Sequence, residues 1–157
     1  MGTRWRDEAS KQLTDAAETD TPRHLPNKYE RIGDVLLLPH TAHRALLDGV
    51  PSERHARVYE ALAAALGVTR VALHGRVEPS LHRKSTAIML HPSGAGGWTE
   101  HRDHGIVVGF DVTRNMFSSG NGTEKARVAR FPCAGSTVVD LYAGIGYFTL
   151  PYLVHAG

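Results

Sequence analysis

The chain has 157 residues, 41% of them hydrophobic and 22% charged, and a formal net charge of +2. That is room for one domain, or for a small domain and part of another, and no apolar run approaches the ~20 residues that span a bilayer. The single cysteine, Cys133, excludes an internal disulfide and fits a reducing compartment such as the cytoplasm; the mild basicity permits a nucleic-acid partner without requiring one.

The opening, MGTRWRDEASKQLTDAAETD, lacks the apolar centre of a signal peptide. Arg6 stands where a myristoylation signal needs serine or threonine. Residues 1–27 are polar and weakly periodic, which predicts a mobile tail. Residues 28–114 then read as a small α+β domain. A strand is expected over residues 29–38, with Gly33 marking a bulge or turn and Pro39 stopping it. A short helix follows over 41–47, then a better one over 53–66. In that second helix Val58, Ala61, Leu62, Ala65 and Leu66 fall at helical spacing, Ser52 is the expected N-cap and Gly67 the stop. Strands are expected over 68–74, 85–90, 98–102 and 105–113. Strands on short loops beside two helices make an α+β module.

Residues 115–157 carry the stretches with chemical character. NMFSSGNGT breaks the strand pattern, and Thr123 can cap a helix running to Arg130. The central stretch is VVDLYAGIGYFTLPYLVHAG, residues 138–157. Its apolar opening predicts a buried parallel strand over 138–142, then a Gly-x-Gly turn at Gly144 and Gly146, then a helix from Tyr147. That order is the first half of a nucleotide-binding βαβ unit. Thr149 stands where the dinucleotide fingerprint has its third glycine, which argues against NAD and for another adenine cofactor. A parallel strand needs a neighbour, and the sequence ends before supplying one, so a fragment that folds poorly at its end is expected.

Other candidates fare less well. His40 with His43, or His101 with His104, stand three apart. One cysteine and no His-Glu-x-x-His pattern leave a closed zinc site without partners, so no metal is expected. Cys133 has no basic neighbour to activate it as a nucleophile. Trp98, with Arg83, Lys84 and Arg102 around it, has the makings of an RNA contact, though a strand-packing aromatic is the plainer reading.

Two motifs at this separation are specific together. FDVTRNMFSSGNGTEKARVA followed by VVDLYAGIGYFTLPYLVHAG resembles the tRNA wybutosine-synthesising protein 2 family, relatives of the tRNA guanine-37-N1 methyltransferases. The resemblance extends from about Tyr29 to Gly157. It implies an α/β chain: a small α+β domain, then the start of a class I S-adenosylmethionine-dependent, doubly wound Rossmann-type sheet, cut short. It also implies transfer of the 3-amino-3-carboxypropyl group of S-adenosyl-L-methionine to 4-demethylwyosine at position 37 of tRNA-Phe. By position, Ser118 and Lys125 match the family's cofactor-contacting loop, and Asp140, Tyr142, Gly144 and Gly146 its first cofactor motif. The catalytic residues are not assigned, and the family's ribose-holding acid and Asn-Pro-Pro-type motif fall beyond Gly157. The expected partner is the tRNA-Phe anticodon loop, bound by a monomer without a membrane. The methyl-transferring relatives resemble Phe-Ser-Pro-Arg where this chain has Phe117, Ser118, Ser119 and Gly120, which favours the aminocarboxypropyl reading. Two alternatives stay open: guanosine-37 methylation, and a non-catalytic RNA-binding fragment.

Overall fold

The structure is a computed structural model that describes residues 4–75 and 84–155. Its centre is a four-stranded sheet ordered β1-β2-β3-β4, from β1 (Glu30–Ile32), β2 (Val35–Leu38), β3 (Arg70–Leu73) and β4 (Ile88–His91). β1 and β2 are antiparallel around a turn at Gly33, β2 and β3 are parallel, and β3 and β4 are antiparallel. A parallel pair needs a crossover. Here α2 (His40–Leu47), a 3-10 turn (Ser52–Arg54) and α3 (His55–Leu66) provide it.

All four residues of β2 are buried, because the sheet is covered on both faces. Leu36 and Leu38 face a core shared with Val58 and Leu62 of α3. Val35 and Leu37 face a second core with Phe110 and Val112. Phe110 lies in a hairpin of β5 (Trp98–Asp103) and β6 (Ile106–Asp111), in register from Trp98 opposite Asp111 to Asp103 opposite Ile106. One carboxylate ties the layers. Asp34 accepts hydrogen bonds from Arg70 Nε at 2.8 Å, from Thr99 Oγ1 at 2.8 Å and from Thr69 Oγ1. The Arg70 guanidinium, with the two hydroxyls, holds its carboxyl well below the usual range despite partial burial. Gly33 sits close by with φ +57°, and a Cβ there would lie 2.3 Å from the Glu100 carbonyl oxygen. Only glycine serves at that crossing.

Several expectations need correction. Residues 4–17 do not behave as a polar tail: they form α1 (Arg4–Ala17). Ala9, Leu13 and Ala17 recur every fourth residue and are buried against the α3 side of the sheet. The connection back is anchored by Arg23, 5% exposed, which donates to the carbonyls of Ala45 and Asp48. Glu18 pairs with Arg54 at 2.5 Å and Arg57 at 2.6 Å. Ser52 does not cap α3 but lies inside the 3-10 turn that precedes it; Gly67 ends α3 in the left-handed conformation, as expected. Thr123 likewise lies inside α4 (Gly122–Val128), whose cap position is Asn121.

The largest correction concerns residues 138–142, which form no strand. Among the described residues no strand lies beside them to complete a ladder, and Val139, Leu141 and Tyr142 are 73%, 74% and 101% exposed. The helix beyond them, α5 (Thr149–His155), is present. Trp98 is 62% exposed and its ring lies across Gly109; Arg83, named with it in the sequence, lies outside the described residues. No described helix is long and apolar enough to cross a membrane.

His43 offers a pH test of the helical layer. Its Nε2 lies 2.8 Å from the Tyr59 hydroxyl, and burial, with the charges of His55 and His40, holds its imidazole below the usual range. The unfolded chain therefore binds the proton more readily, and stability falls as pH drops through the unfolded value near about 6.5. Urea midpoints are expected to decline between pH 7.5 and 5.5, and less steeply in His43→Gln. An unchanged slope in that variant would exclude His43 as a source of the decline.

Candidate functional site

Three segments converge beyond the hairpin: the bend at 116–121 leading into α4, the glycine turn at 143–146, and the hairpin tip at 103–105. Tyr147 joins the first two. Its hydroxyl donates to the Met116 carbonyl at 2.8 Å and accepts the Ser118 N–H at 2.8 Å. Burial raises its phenol above the usual value, while the Ser118 N–H pulls the other way. Phe117 fills the space beneath, its ring 5.4 Å from Phe110, 4.8 Å from His101 and 6.0 Å from Tyr147. Burial holds the His101 imidazole below its usual range, and its Nδ1 accepts the Gly33 N–H at 3.1 Å. The bend is thus anchored to the lower core.

Lys125 is 4% exposed. It enters from α4 with its Nζ 5.4 Å from the Phe117 ring centre and 5.0 Å from that of Tyr147. The ammonium donates to Asp103 Oδ2 at 2.6 Å and approaches the Ser118 carbonyl at 3.5 Å. Burial alone would raise the Asp103 carboxyl, but Lys125 and His104 outweigh it and hold it below its usual range.

Two hollows flank Tyr147. One, between the hairpin tip and α5, is lined by Asp103, Phe117, Lys125, Ile145, Gly146 and Leu150 and encloses about 20 Å³, little more than a water needs. The other is a groove of about 990 Å³, walled by Tyr142, Ala143, Gly144 and Ile145 on one side and by Lys84, Arg114, Asn115 and Met116 on the other. That is the size of a small-molecule site. Ile145 and Tyr147 border both hollows.

The six residues singled out for a cofactor do not share one wall. Tyr142 and Gly144 line the groove, Lys125 and Gly146 the small hollow. Ser118 meets the boundary through its backbone N–H. Asp140 accepts the Thr149 hydroxyl at 2.6 Å, which ties the apolar run to the first turn of α5. Tyr142, Gly144 and Gly146 have φ of 67°, 61° and 89°. A Cβ at Gly146 would lie 3.1 Å from Leu150 Cγ and one at Gly144 3.8 Å from the Tyr147 ring, so these glycines let the turn pack on α5 and on Tyr147. Asp103 and Tyr147 were not singled out in the sequence. Tyr147 is adjacent to the glycine turn, but nothing local links Asp103 to a lysine in a different element. Among the described residues no group of three or more histidine, cysteine or acidic side chains converges on a metal-sized point.

Comparison with known proteins places these segments. Residues 99–157 match the TRM5/TYW2 methyltransferase domain. The tRNA wybutosine-synthesizing protein 2 homolog of Mus musculus is 52% identical over 134 residues, 85% of this chain and 29% of that protein; the chain thus spans under a third of that relative's length. Among solved structures, Pyrococcus horikoshii TYW2 in complex with MeSAdo superposes with a TM-score of 0.65 at 29% identity, covering 94% of this chain and 50% of that one. The complex of aTrm5 with tRNALeu, at 21% identity and TM-score 0.65, covers 94% of this chain and 41% of that one and shows the same fold. The mixed α/β architecture is shared with these neighbours, which are methyltransferase-fold proteins.

Proposed function

We propose, for a chain that belongs to the TRM5/TYW2 family, that it handles S-adenosylmethionine in the transfer of a 3-amino-3-carboxypropyl group to 4-demethylwyosine at position 37 of tRNA-Phe. The tRNA anticodon loop is then the macromolecular partner, met by a monomer in the cytoplasm. Residues 115–157 form the cofactor-facing part, and the preceding α+β layers support it. The observation that carries this reading is the Tyr147 bridge, which holds the Ser118–Lys125 bend against the glycine turn beside a groove of nucleoside size.

Gly144 and Tyr142 line the groove, and a glycine turn there suits the close approach of a nucleoside. Lys125 is a cation for a carboxylate, and Ser118 fixes the bend that presents it. S-adenosylmethionine supplies carbons activated by a sulfonium, and the one in line with the nucleophile reacts. In the proposed transfer the base bonds to the methionine-side carbon and loses a proton. The carbon–sulfur bond breaks with its electron pair going to sulfur, and methylthioadenosine departs. Gly120, where the methyl-transferring relatives resemble arginine, supports this outcome over guanosine-37 methylation.

The test is isothermal titration of the 157-residue chain with S-adenosylmethionine, paired with incubation of cofactor and tRNA-Phe bearing 4-demethylwyosine. Heat of binding and retention of label from the carboxypropyl chain on the tRNA are expected. Retention of methyl label would overturn the reading in favour of methylation. Salt-sensitive tRNA binding without heat from the cofactor would overturn it in favour of an RNA-binding role.

A further inference from the structure

α4 carries two unlike faces. Lys125 and Val128 are buried in the protein. Thr123, Ala126, Arg127 and Arg130 fall at the spacing of the opposite side. Arg130 belongs to the turn that closes the helix, its N–H bonded to the Arg127 carbonyl at 3.1 Å. With His104 of the hairpin tip and Phe131, these four residues wall a groove of about 720 Å³. It shares no lining residue with the groove beside Gly144.

The two arginines are held differently. Glu124 accepts from Arg127 Nε at 2.7 Å and also pairs with its Nη2. So anchored, the Arg127 guanidinium lies over the Phe131 ring, 4.5 Å from its centre, and Phe131 in turn lies 6.2 Å from the Tyr152 ring of α5. The result is a fixed, flat step of guanidinium on aromatic, the kind of surface on which unpaired nucleobases stack. Arg130 is exposed, and among the described residues no hydrogen bond or ion pair occupies its guanidinium. Its planar fork of donors matches a phosphate. Among the described residues lining the groove none is acidic, so the lining is complementary to an anion. A nucleotide fits better than an acidic peptide, because it brings a flat ring beside its charge.

We propose that this groove holds single-stranded RNA: Arg130 neutralises a backbone phosphate, and the step of Arg127 on Phe131 carries an adjacent base. The inference rests on the tRNA partner proposed above and gives that partner a place on the outer face of α4, separate from the nucleoside groove.

The experiment follows binding of tRNA-Phe and of polyuridylate to the 157-residue chain by fluorescence anisotropy across a salt series, alongside thermal melts. Arg130→Ala should weaken both RNAs about fivefold near ~0.1 M salt and flatten the plot of log affinity against log salt by about 0.7, the loss of one phosphate contact on a single strand. Its melting temperature should match the wild type, since Arg130 has no partner to lose. Arg130→Lys should restore the slope. Arg44→Ala removes the same charge from an exposed position on α2 and should leave affinity and slope unmoved. Polyuridylate carrying iodouridine, irradiated on the chain, should crosslink at Phe131. Equal losses in Arg44→Ala and Arg130→Ala would mean diffuse attraction to net charge and overturn the proposal. So would crosslinks confined to Trp98, or polyglutamate displacing the RNA as readily as polyuridylate does. A wild-type chain that binds neither RNA loses the tRNA partner, and this groove's role with it; RNA binding that Arg130→Ala leaves unchanged ends the groove's role alone.

Discussion

Replacing Lys125 by methionine is expected to weaken S-adenosylmethionine binding about tenfold to a hundredfold and to leave methylthioadenosine nearly unaffected. Methionine keeps an unbranched stem against the Phe117 and Tyr147 rings and removes the charge. What is lost is one charge-assisted hydrogen bond to a carboxylate, about 1.5–3 kcal/mol, which converts to that range of affinity. Only the larger ligand carries the carboxylate, so the ratio of the two constants is the informative quantity. Folding stability should fall as well, because Asp103 is left with His104 alone. That loss is smaller than for a fully buried pair, since the Asp103 side chain is 23% exposed and water can solvate it. Equal weakening of both nucleosides by Lys125→Met would show that the lysine acts only through the fold.

The second large effect concerns α1. Leu13→Ala is expected to cost about 2–5 kcal/mol, the usual range for removing a leucine from a filled core. Leu13 has no exposed surface and packs in the core that includes Val58 and Leu62. For a chain of this size that corresponds to a fall in melting temperature on the order of 5–15 °C. Thermal denaturation followed by circular dichroism measures it. A melting temperature unchanged within a degree or two would mean that α1 is peripheral, as its polar sequence suggests, and would sink the account of this layer.

These two expectations differ in how visible they were beforehand. Lys125 was singled out through the resemblance of its bend to the family's cofactor-contacting loop. Leu13 was not. α1 carries one narrow stripe of Ala9, Leu13 and Ala17 among charged and hydroxyl residues, so composition pointed to a tail. Tertiary contact with the α3 layer decides its state, and no local pattern contains that contact. The reverse happened at 138–142, where local pattern called for a strand. β-structure is a property of pairs: apolar alternation gives propensity, and the ladder needs a second chain segment. Where both conditions were met, in the hairpin 98–111 and in α3 with its stop at Gly67, sequence and structure agree to within a few residues. The site divides along the same line. Gly144 and Gly146 were legible because a turn is local. Asp103 and the joining role of Tyr147 were not, because they arise from contacts 22 and 29 residues away along the chain.

The bare run at Val139, Leu141 and Tyr142 also governs how the molecule behaves as a colloid. Each of these side chains meets water over most of its surface, and apolar area left wet is worth roughly 25 cal/mol per Å² to any process that dries it. Sulfate and phosphate buffers, which sharpen that drive, will push copies of the chain to cluster through this ribbon, whereas dilute solutions at low salting-out strength will keep them dispersed.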